Sequence, residues 1–183
     1  MTVLPSDMPV IYDAVSLQHA AASGRLHLLP DLHGHRPAPR WTEHVRGEVE
    51  DGAAMLKSRA WCQPVLDFAW LGAAAPDYDL GLTFRLQTLM NSLDDDDDKN
   101  LGEAQCMSAA IHTSAYLVTD DRRAYNFAAK RPELGTSRVK DFCHLLFDAA
   151  GEGFITRSEV DEAHDRVADC GRTMLCARHA DFA

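Results

Sequence analysis

Three aspartates stand where two short apolar segments of the chain end. Asp13 follows residues 9–12 (PVIY), and the doublet Asp120-Asp121 follows residues 116–119 (YLVT). Both segments have the length and composition of buried strands. A carboxylate at the end of a buried strand needs a hydrogen-bonding partner or a cation. Gathered carboxylates suit Mg²⁺ or Mn²⁺, which prefer oxygen ligands.

The elements that must position these acids alternate between strands and helices. We predict strands at 9–15, 26–29, 116–119 and 137–139, and we interpret the ambiguous residues 64–71 as a strand with helical edges. Helices are predicted at 16–23, 42–57, 79–93, 102–115, 122–129, 140–149 and 158–167. This alternation favours an α/β fold with a mainly parallel sheet. Ligands bind beyond the carboxyl ends of such strands, so Asp13 and the doublet should meet there.

The composition is that of one globular domain. The chain has 183 residues, of which 46% are apolar and 25% charged, enough for a full core. We assign the domain to residues 1–168 and treat 169–183 as a weakly patterned tail of unknown role. No stretch resembles a signal peptide or could cross a bilayer. Five cysteines without a C-x-x-C pair argue against a disulfide framework and a zinc ribbon, and predict a cytoplasmic location.

The net charge of -10 is unusual for a protein that binds nucleic acid, which normally presents a basic surface. Bound metal ions would neutralise part of the acidic charge. Basic residues also occur in local pairs, although each pair alone is as well explained by a solvated face. These pairs are Arg36 and Arg40, Arg122 and Arg123, Lys130 and Arg131, and Arg138 and Lys140.

Several segments, taken in order, resemble those of one nuclease family. They are VIYD (10–13), VRGEV (45–49), NLGEAQ (100–105), YLVTDDRRA (116–124) and GFITRSEV (153–160). Over roughly residues 9–167 the chain resembles PIN-domain nucleases, and among them the VapC-type toxin ribonucleases. The resemblance implies a three-layer α/β/α fold. It also implies a Mg²⁺- or Mn²⁺-dependent endoribonuclease that uses metal-activated water and leaves 5′-phosphate and 3′-hydroxyl ends.

The resemblance also implies the site residues. Asp13 is the first acid, Glu48 the second, Glu103 the third and Asp121 the fourth. Asp13, Glu103 and Asp121 are the expected metal ligands, with Asp120 as a ligand or helper, and the doublet leaves the choice between its two members open. Arg122 or Arg123 is expected to contact a phosphate of the RNA substrate. An antitoxin protein and a second copy of the chain are the implied partners.

Each acid also has an ordinary structural explanation. Glu48 would be an exposed helix residue, Glu103 a favourable charge in a first helical turn, and Asp121 the cap of the next helix. Asp13 is the hardest to explain in this way. Two other functions therefore remain open: an interaction module with a weak or inactive site, and a PIN-type DNA nuclease.

Two further patterns are interpreted as structural. Residues 148–159 mimic a calcium-binding EF-hand loop, but Ala150 stands where an oxygen ligand is needed, so we predict a helix–turn–helix with a capping box from Thr156 and Glu159. His27, His33, His35 and His44 lack cysteines or acids at ligand spacing and are interpreted as surface residues. The acidic run 94–98 is interpreted as a solvated loop.

Overall fold

Three short parallel strands lie at the centre of the computed structural model, which describes residues 8–34, 36–91 and 99–176. They are β1 (Val10–Tyr12), β2 (Tyr116–Val118) and β3 (Val139–Lys140), in the order β1-β2-β3. Ile11 pairs with Leu117, and Val118 pairs with Lys140. The continuous apolar sequence of β1 and β2 is typical of strands covered on both faces. The predicted α/β class with a parallel sheet is confirmed.

Helices make up most of the remaining described chain. They are α1 (Ala14–Ala22), α2 (Leu28–His33), α3 (Glu43–Ala54), α4 (Arg59–Leu66), α5 (Leu80–Met90), α6 (Leu101–His112), α7 (Arg122–Ala129), α8 (Phe142–Gly151) and α9 (Arg157–Asp169), with short 3₁₀ helices at Ala69–Leu71 and Thr136–Arg138. Parallel neighbours require crossover connections. The crossover from β1 to β2 contains α1 to α6, whereas α7 alone is the α-helix between β2 and β3.

Each strand leads into a helix that is capped by an aspartate. Asp13 caps α1, Asp121 caps α7 and Asp141 caps α8, in each case by accepting a backbone N–H of the first helical turn. Aspartate is among the best N-cap residues because its carboxylate satisfies an N–H that has no partner within the helix. The caps therefore place acidic side chains along one edge of the sheet.

Two predicted strands are wrong. Residues 26–29 lead into helix α2, and residues 64–71 form the end of α4 and a 3₁₀ turn, with Pro64 inside the helix. A short apolar run does not distinguish a buried strand from a buried helix, which explains both errors. The predicted loop at 30–40 begins as the last part of α2. The acidic run 94–98 lies outside the described residues.

The turn between α8 and α9 has the predicted helix–turn–helix form. Thr156 caps α9 by accepting the Glu159 N–H, and the Glu159 carboxylate accepts the Thr156 N–H at 2.8 Å. This reciprocal pair is the predicted capping box. No helix within the described ranges is long and apolar enough to span a membrane.

The segment after α9 packs onto the domain as far as it is described. Met174 is 4% exposed, and a disulfide joins Cys176 to Cys143 on α8. The odd number of cysteines and the absence of a C-x-x-C pair argued against disulfides, and this bond corrects that expectation: its two residues lie 33 positions apart and only the fold brings them together. The bond closes residues 170–176 against α8, so the first part of the predicted tail belongs structurally to the domain.

Candidate functional site

Asp13 lies at the carboxyl end of β1 and is 5% exposed. Its Oδ1 accepts the Ser16 N–H at 2.6 Å, and its Oδ2 accepts the Thr119 hydroxyl at 2.5 Å. Burial and the neighbouring Asp120 carboxylate raise the pKa of Asp13 to about 7, although the hydrogen bonds from Ser16 and Thr119 act in the opposite direction. Two neighbouring buried carboxylates repel each other when both are ionised, and a bound cation would relieve this repulsion.

Asp120 is equally buried at the carboxyl end of β2. Its Oδ2 lies 2.5 Å from His19 Nδ1 on α1, and its Oδ1 accepts the Phe142 N–H of α8 at 2.8 Å. The contact with His19 holds α1 against the carboxyl end of β2. The two oxygens of Asp120 therefore connect α1 and α8 to the end of β2, so Asp120 has a structural role.

A second group of acids surrounds Glu103 in the first turn of α6. Burial raises the pKa of Glu103, and the charges of Glu48 and Asp121 raise it further. Glu48 is exposed on α3, with its Oε1 3.4 Å from His44 Nε2. This contact raises the pKa of His44. Asp121 is half-buried, and its Oδ1 accepts the Ala124 N–H at 2.6 Å.

Cys106 on α6 links the two groups electrostatically. Its thiol is buried, with Sγ 4.0 Å from the Tyr12 carbonyl oxygen. Burial raises the pKa of Cys106 well above its ordinary value, and the charges of Asp13, Glu103 and Glu48 add to the effect. The Cys106 thiol thus feels the charges of both Asp13 and the two helix glutamates, which places the two groups in one region.

The acids lie in one region, but their oxygens do not form a compact set of metal ligands. No three of their oxygens lie mutually within 4.8 Å; in the described part of the chain, only Cys143, His164 and Cys176 meet that spacing with ligand atoms. Like charges repel, and helix caps hold Asp13 and Asp121 in place. Glu48 and Glu103 have longer side chains with more rotatable bonds, so they are the members that can turn towards a cation.

Three residues of this region were not predicted from the sequence. His19 and Thr119 hold the two buried carboxylates. Arg172, after α9, lies close enough to Asp13 and Asp120 for their charges to raise the pKa of its guanidinium, although burial has the larger, lowering effect. Thr119 directly precedes the acid doublet and could have been noticed. Nothing in the sequence marks Arg172, because its position depends on how the chain folds back after α9.

Asp141 is a further acid at a strand end, following β3 as Asp13 follows β1. Its Oδ1 accepts the His144 N–H at 2.8 Å and lies 2.6 Å from His144 Nδ1. The contact raises the pKa of the His144 imidazole. Asp141 is therefore occupied by its own helix and is not grouped with the acids around Glu103.

Some of the basic residues and histidines that the sequence analysis singled out are engaged in contacts within the protein. Arg122 and Arg123 are exposed at the start of α7, but Arg123 donates to the Met90 carbonyl oxygen. Arg122 is therefore the better placed of the two for a phosphate. The surface interpretation is wrong for His33, which is 6% exposed with its Nδ1 2.6 Å from the Tyr12 hydroxyl.

Comparison with models of known protein families, with curated proteins and with solved structures shows no significant match to this chain. What the site does must therefore be inferred from its own residues.

Alanine at Gly102 is expected to disturb the acids around Glu103. A Cβ at this position would lie 2.7 Å from His44 Cδ2 and 3.0 Å from Glu48 Oε1. Both neighbours are side-chain ends that can move, and alanine favours the helix by about 1 kcal/mol. Gly102→Ala should therefore change the free energy of unfolding by less than about 1 kcal/mol while weakening Mn²⁺ binding, measured by calorimetric titration.

Gly47→Ala is the matched control. Gly47 lies in α3 next to Glu48, and its Cβ would meet nothing within 4 Å. This variant should gain stability of about 1 kcal/mol and retain Mn²⁺ binding. Equal Mn²⁺ affinity in the two variants would show that the position of Glu48 and His44 does not matter for the metal.

Proposed function

We propose that this protein is a Mg²⁺- or Mn²⁺-dependent endoribonuclease of PIN-like three-layer fold, working in the cytoplasm as the toxin of a toxin–antitoxin pair. The observation that carries the proposal is that Glu103 feels the charges of Glu48 and Asp121, while Cys106 feels those of Asp13, Glu103 and Glu48, so the four acids share one region. These acids come from a strand end, two helices and a second strand end, and burial raises the pKa values of Asp13 and Glu103. Folding such acids together is costly unless the site has a use for them.

The donor set fits a hard divalent cation. All the proposed ligands are carboxylates, which suit Mg²⁺ and Mn²⁺ and do not suit softer metals. Asp13, Glu103 and Asp121 would hold the ion, with Glu48 completing its surroundings. Asp120 is assigned a supporting role, because both of its oxygens are engaged by His19 and Phe142. When bound, the ion supplies water activation and neutralises phosphate charge.

The chain's own residues position the substrate and the acids. Thr119 and Ser16 orient the Asp13 carboxylate, and His44 steadies Glu48. Arg122, exposed at the start of α7, is the group we assign to a phosphate of the RNA backbone, since a guanidinium binds phosphate oxygens in pairs. Such a local positive charge beside the acids suits a chain whose overall charge is negative.

An apolar strip on α5 supports a protein partner. Leu80 and Phe84, one turn apart on this helix, are 59% and 54% exposed, and large apolar side chains exposed together often mark an interface. We assign this strip to the antitoxin. A homodimer is the alternative occupant, and sedimentation velocity of the purified chain alone distinguishes them, because only self-association gives a dimer without a second protein.

The function is tested by incubating the protein with single-stranded RNA, single-stranded DNA and duplex DNA, in Mn²⁺ or Mg²⁺ and then with a chelator. We expect internal cleavage of RNA that stops on chelation. Glu103→Gln removes one ligand charge and should lower the rate by more than about 100-fold. Glu50→Gln is the matched control on the exposed side of α3, where Glu50 pairs with Arg46, and it should cleave normally.

Each other outcome has a definite meaning. RNA cleavage that survives the chelator or Glu103→Gln would rule out the metal mechanism at these acids. Cleavage of DNA alone would identify a DNA nuclease with the same site. No cleavage, together with no Mn²⁺ binding by calorimetry, would leave an interaction module.

A further inference from the structure

A second cluster of possible metal ligands lies on α8, α9 and the segment after α9. It consists of Cys143 on α8, His164 on α9 and Cys176 in the segment after α9. One ligand atom from each lies within 4.8 Å of the other two. His164 Nε2 is 3.1 Å from Cys176 Sγ, and the Cys176 N–H donates to Cys143 Sγ at 3.2 Å.

We propose that Cys143, His164 and Cys176 form a Zn²⁺ site when the Cys143–Cys176 disulfide is reduced. Thiolate and imidazole are the ligands that Zn²⁺ prefers, and three of them leave a fourth tetrahedral position for water. Two thiolates and a neutral imidazole balance the charge of the ion, which suits a site where Cys143 is 2% and His164 9% exposed.

The backbone already has a suitable spacing for the ion. Tetrahedral Zn²⁺ with Zn–S bonds of about 2.3 Å separates two thiolates by about 3.8 Å. The Cα atoms of Cys143 and Cys176 are 6.0 Å apart, so rotation of the two side chains can open this gap without moving α8. Cys143 is in the first turn of α8, where the helix dipole favours the thiolate form.

The disulfide and the metal exclude each other. A dithiol reductant gives two electrons and two protons to the Cys143–Cys176 bond, becoming a disulfide itself and leaving two thiols. Zn²⁺ then displaces the two thiol protons into solvent as the Zn–S bonds form. In either state the segment that carries Arg172 is held against α8, and the reduced, metal-free protein is the one that can release it.

The test compares oxidised and reduced wild-type protein, freed of metal, by Zn²⁺ competition with a coloured chelator. Reduced protein should bind one Zn²⁺ more than oxidised protein does, because Zn²⁺ held by the carboxylate site is bound in both forms. Co²⁺ in place of Zn²⁺ should give the intense thiolate-to-cobalt absorption. Zn²⁺ should raise the Tm of the reduced form more than that of the oxidised form, since a ligand that binds the folded state stabilises it. This comparison needs no substitution and so cannot fail through misfolding.

Substitutions then assign the ligands. Cys143→Ser and His164→Gln should each weaken Zn²⁺ binding by more than about tenfold. Cys170→Ser is the matched control, because Cys170 is a half-buried free thiol outside the cluster and should bind as wild type does. The proposal is overturned if reduced protein binds no Zn²⁺, if oxidised protein binds equally, or if Cys170→Ser weakens binding as strongly. RNA cleavage is not among the readouts, so this result is independent of the proposed nuclease function.

Discussion

Asp13→Asn should stabilise the metal-free protein at pH 8 by about 2 kcal/mol while abolishing metal-dependent cleavage. Burial and Asp120 raise the pKa of Asp13 to about 7, so the ionised side chain is unfavourable in the folded state. Asparagine removes the charge. Its carbonyl can still accept the Ser16 N–H, and the Thr119 hydroxyl can rotate to accept from its amide.

The pH dependence follows from the direction of the shift. Between the ordinary value of 3.8 and about 7, the folded protein holds a proton on Asp13 that the unfolded chain has lost. The contribution of Asp13 to stability therefore falls as pH rises through this window, by at most about 1.4 kcal/mol per pH unit. The advantage of Asp13→Asn should be small at pH 4 and largest above pH 7.

Urea denaturation of both proteins in chelator at pH 4, 6 and 8 measures this difference. Asp79→Asn is the control, since Asp79 is an exposed N-cap of α5 that accepts the Leu82 N–H at 2.9 Å. It should change stability by less than about 0.5 kcal/mol at each pH. If Asp13→Asn were less stable than wild type at pH 8, the ionised Asp13 carboxylate would stabilise the metal-free fold, and the prediction would be wrong.

The two members of the acid doublet should separate into a structural and a catalytic residue. Asp120→Ala leaves the Phe142 N–H and His19 Nδ1 without their buried partner, and should cost about 3 kcal/mol of stability. Asp121→Asn keeps the α7 cap, because asparagine caps helices as well as aspartate does. It should leave stability within about 0.5 kcal/mol and lower cleavage by more than about 100-fold.

Thermal and urea unfolding give the stability changes, and the RNA assay gives the rates. Combining Asp120→Ala with His19→Ala tests the mechanism, because residues in direct contact should be less than additive by at least about 1 kcal/mol. Strict additivity would mean that the 2.5 Å contact between them contributes little. If Asp121→Asn cleaved RNA normally and Asp120→Asn were stable but inactive, Asp120 would be the catalytic residue and Asp121 the structural one.

Local patterns in the sequence were sufficient to predict most of the helices and strands. The apolar runs before Asp13 and Asp120 predicted β1 and β2, and the spacing of leucines predicted α5. The capping box at Thr156 and Glu159 was also foreseeable, because all of its contacts lie within four residues. Such features depend on neighbours along the chain, and the sequence shows those directly.

Residues 26–29 and 64–71 were misjudged because a short apolar segment is compatible with either a strand or a helix, and the choice depends on what covers it. The site shows the same limit, because the sequence predicts where its acids lie along the chain but not which distant residues contact them. The sequence by itself determined that acids would end two strands and that the sheet would bring Asp13 and Asp120 together.

Only the tertiary structure decided how each acid is held. It placed His19 against Asp120, put Thr119 on Asp13, folded Arg172 back towards both acids and set His164 beside Cys143 and Cys176. These contacts join residues far apart in the chain, and no local spacing encodes them. They arise because burying the core fixes the helices against the sheet, and polar side chains then satisfy whichever partners that packing brings within reach.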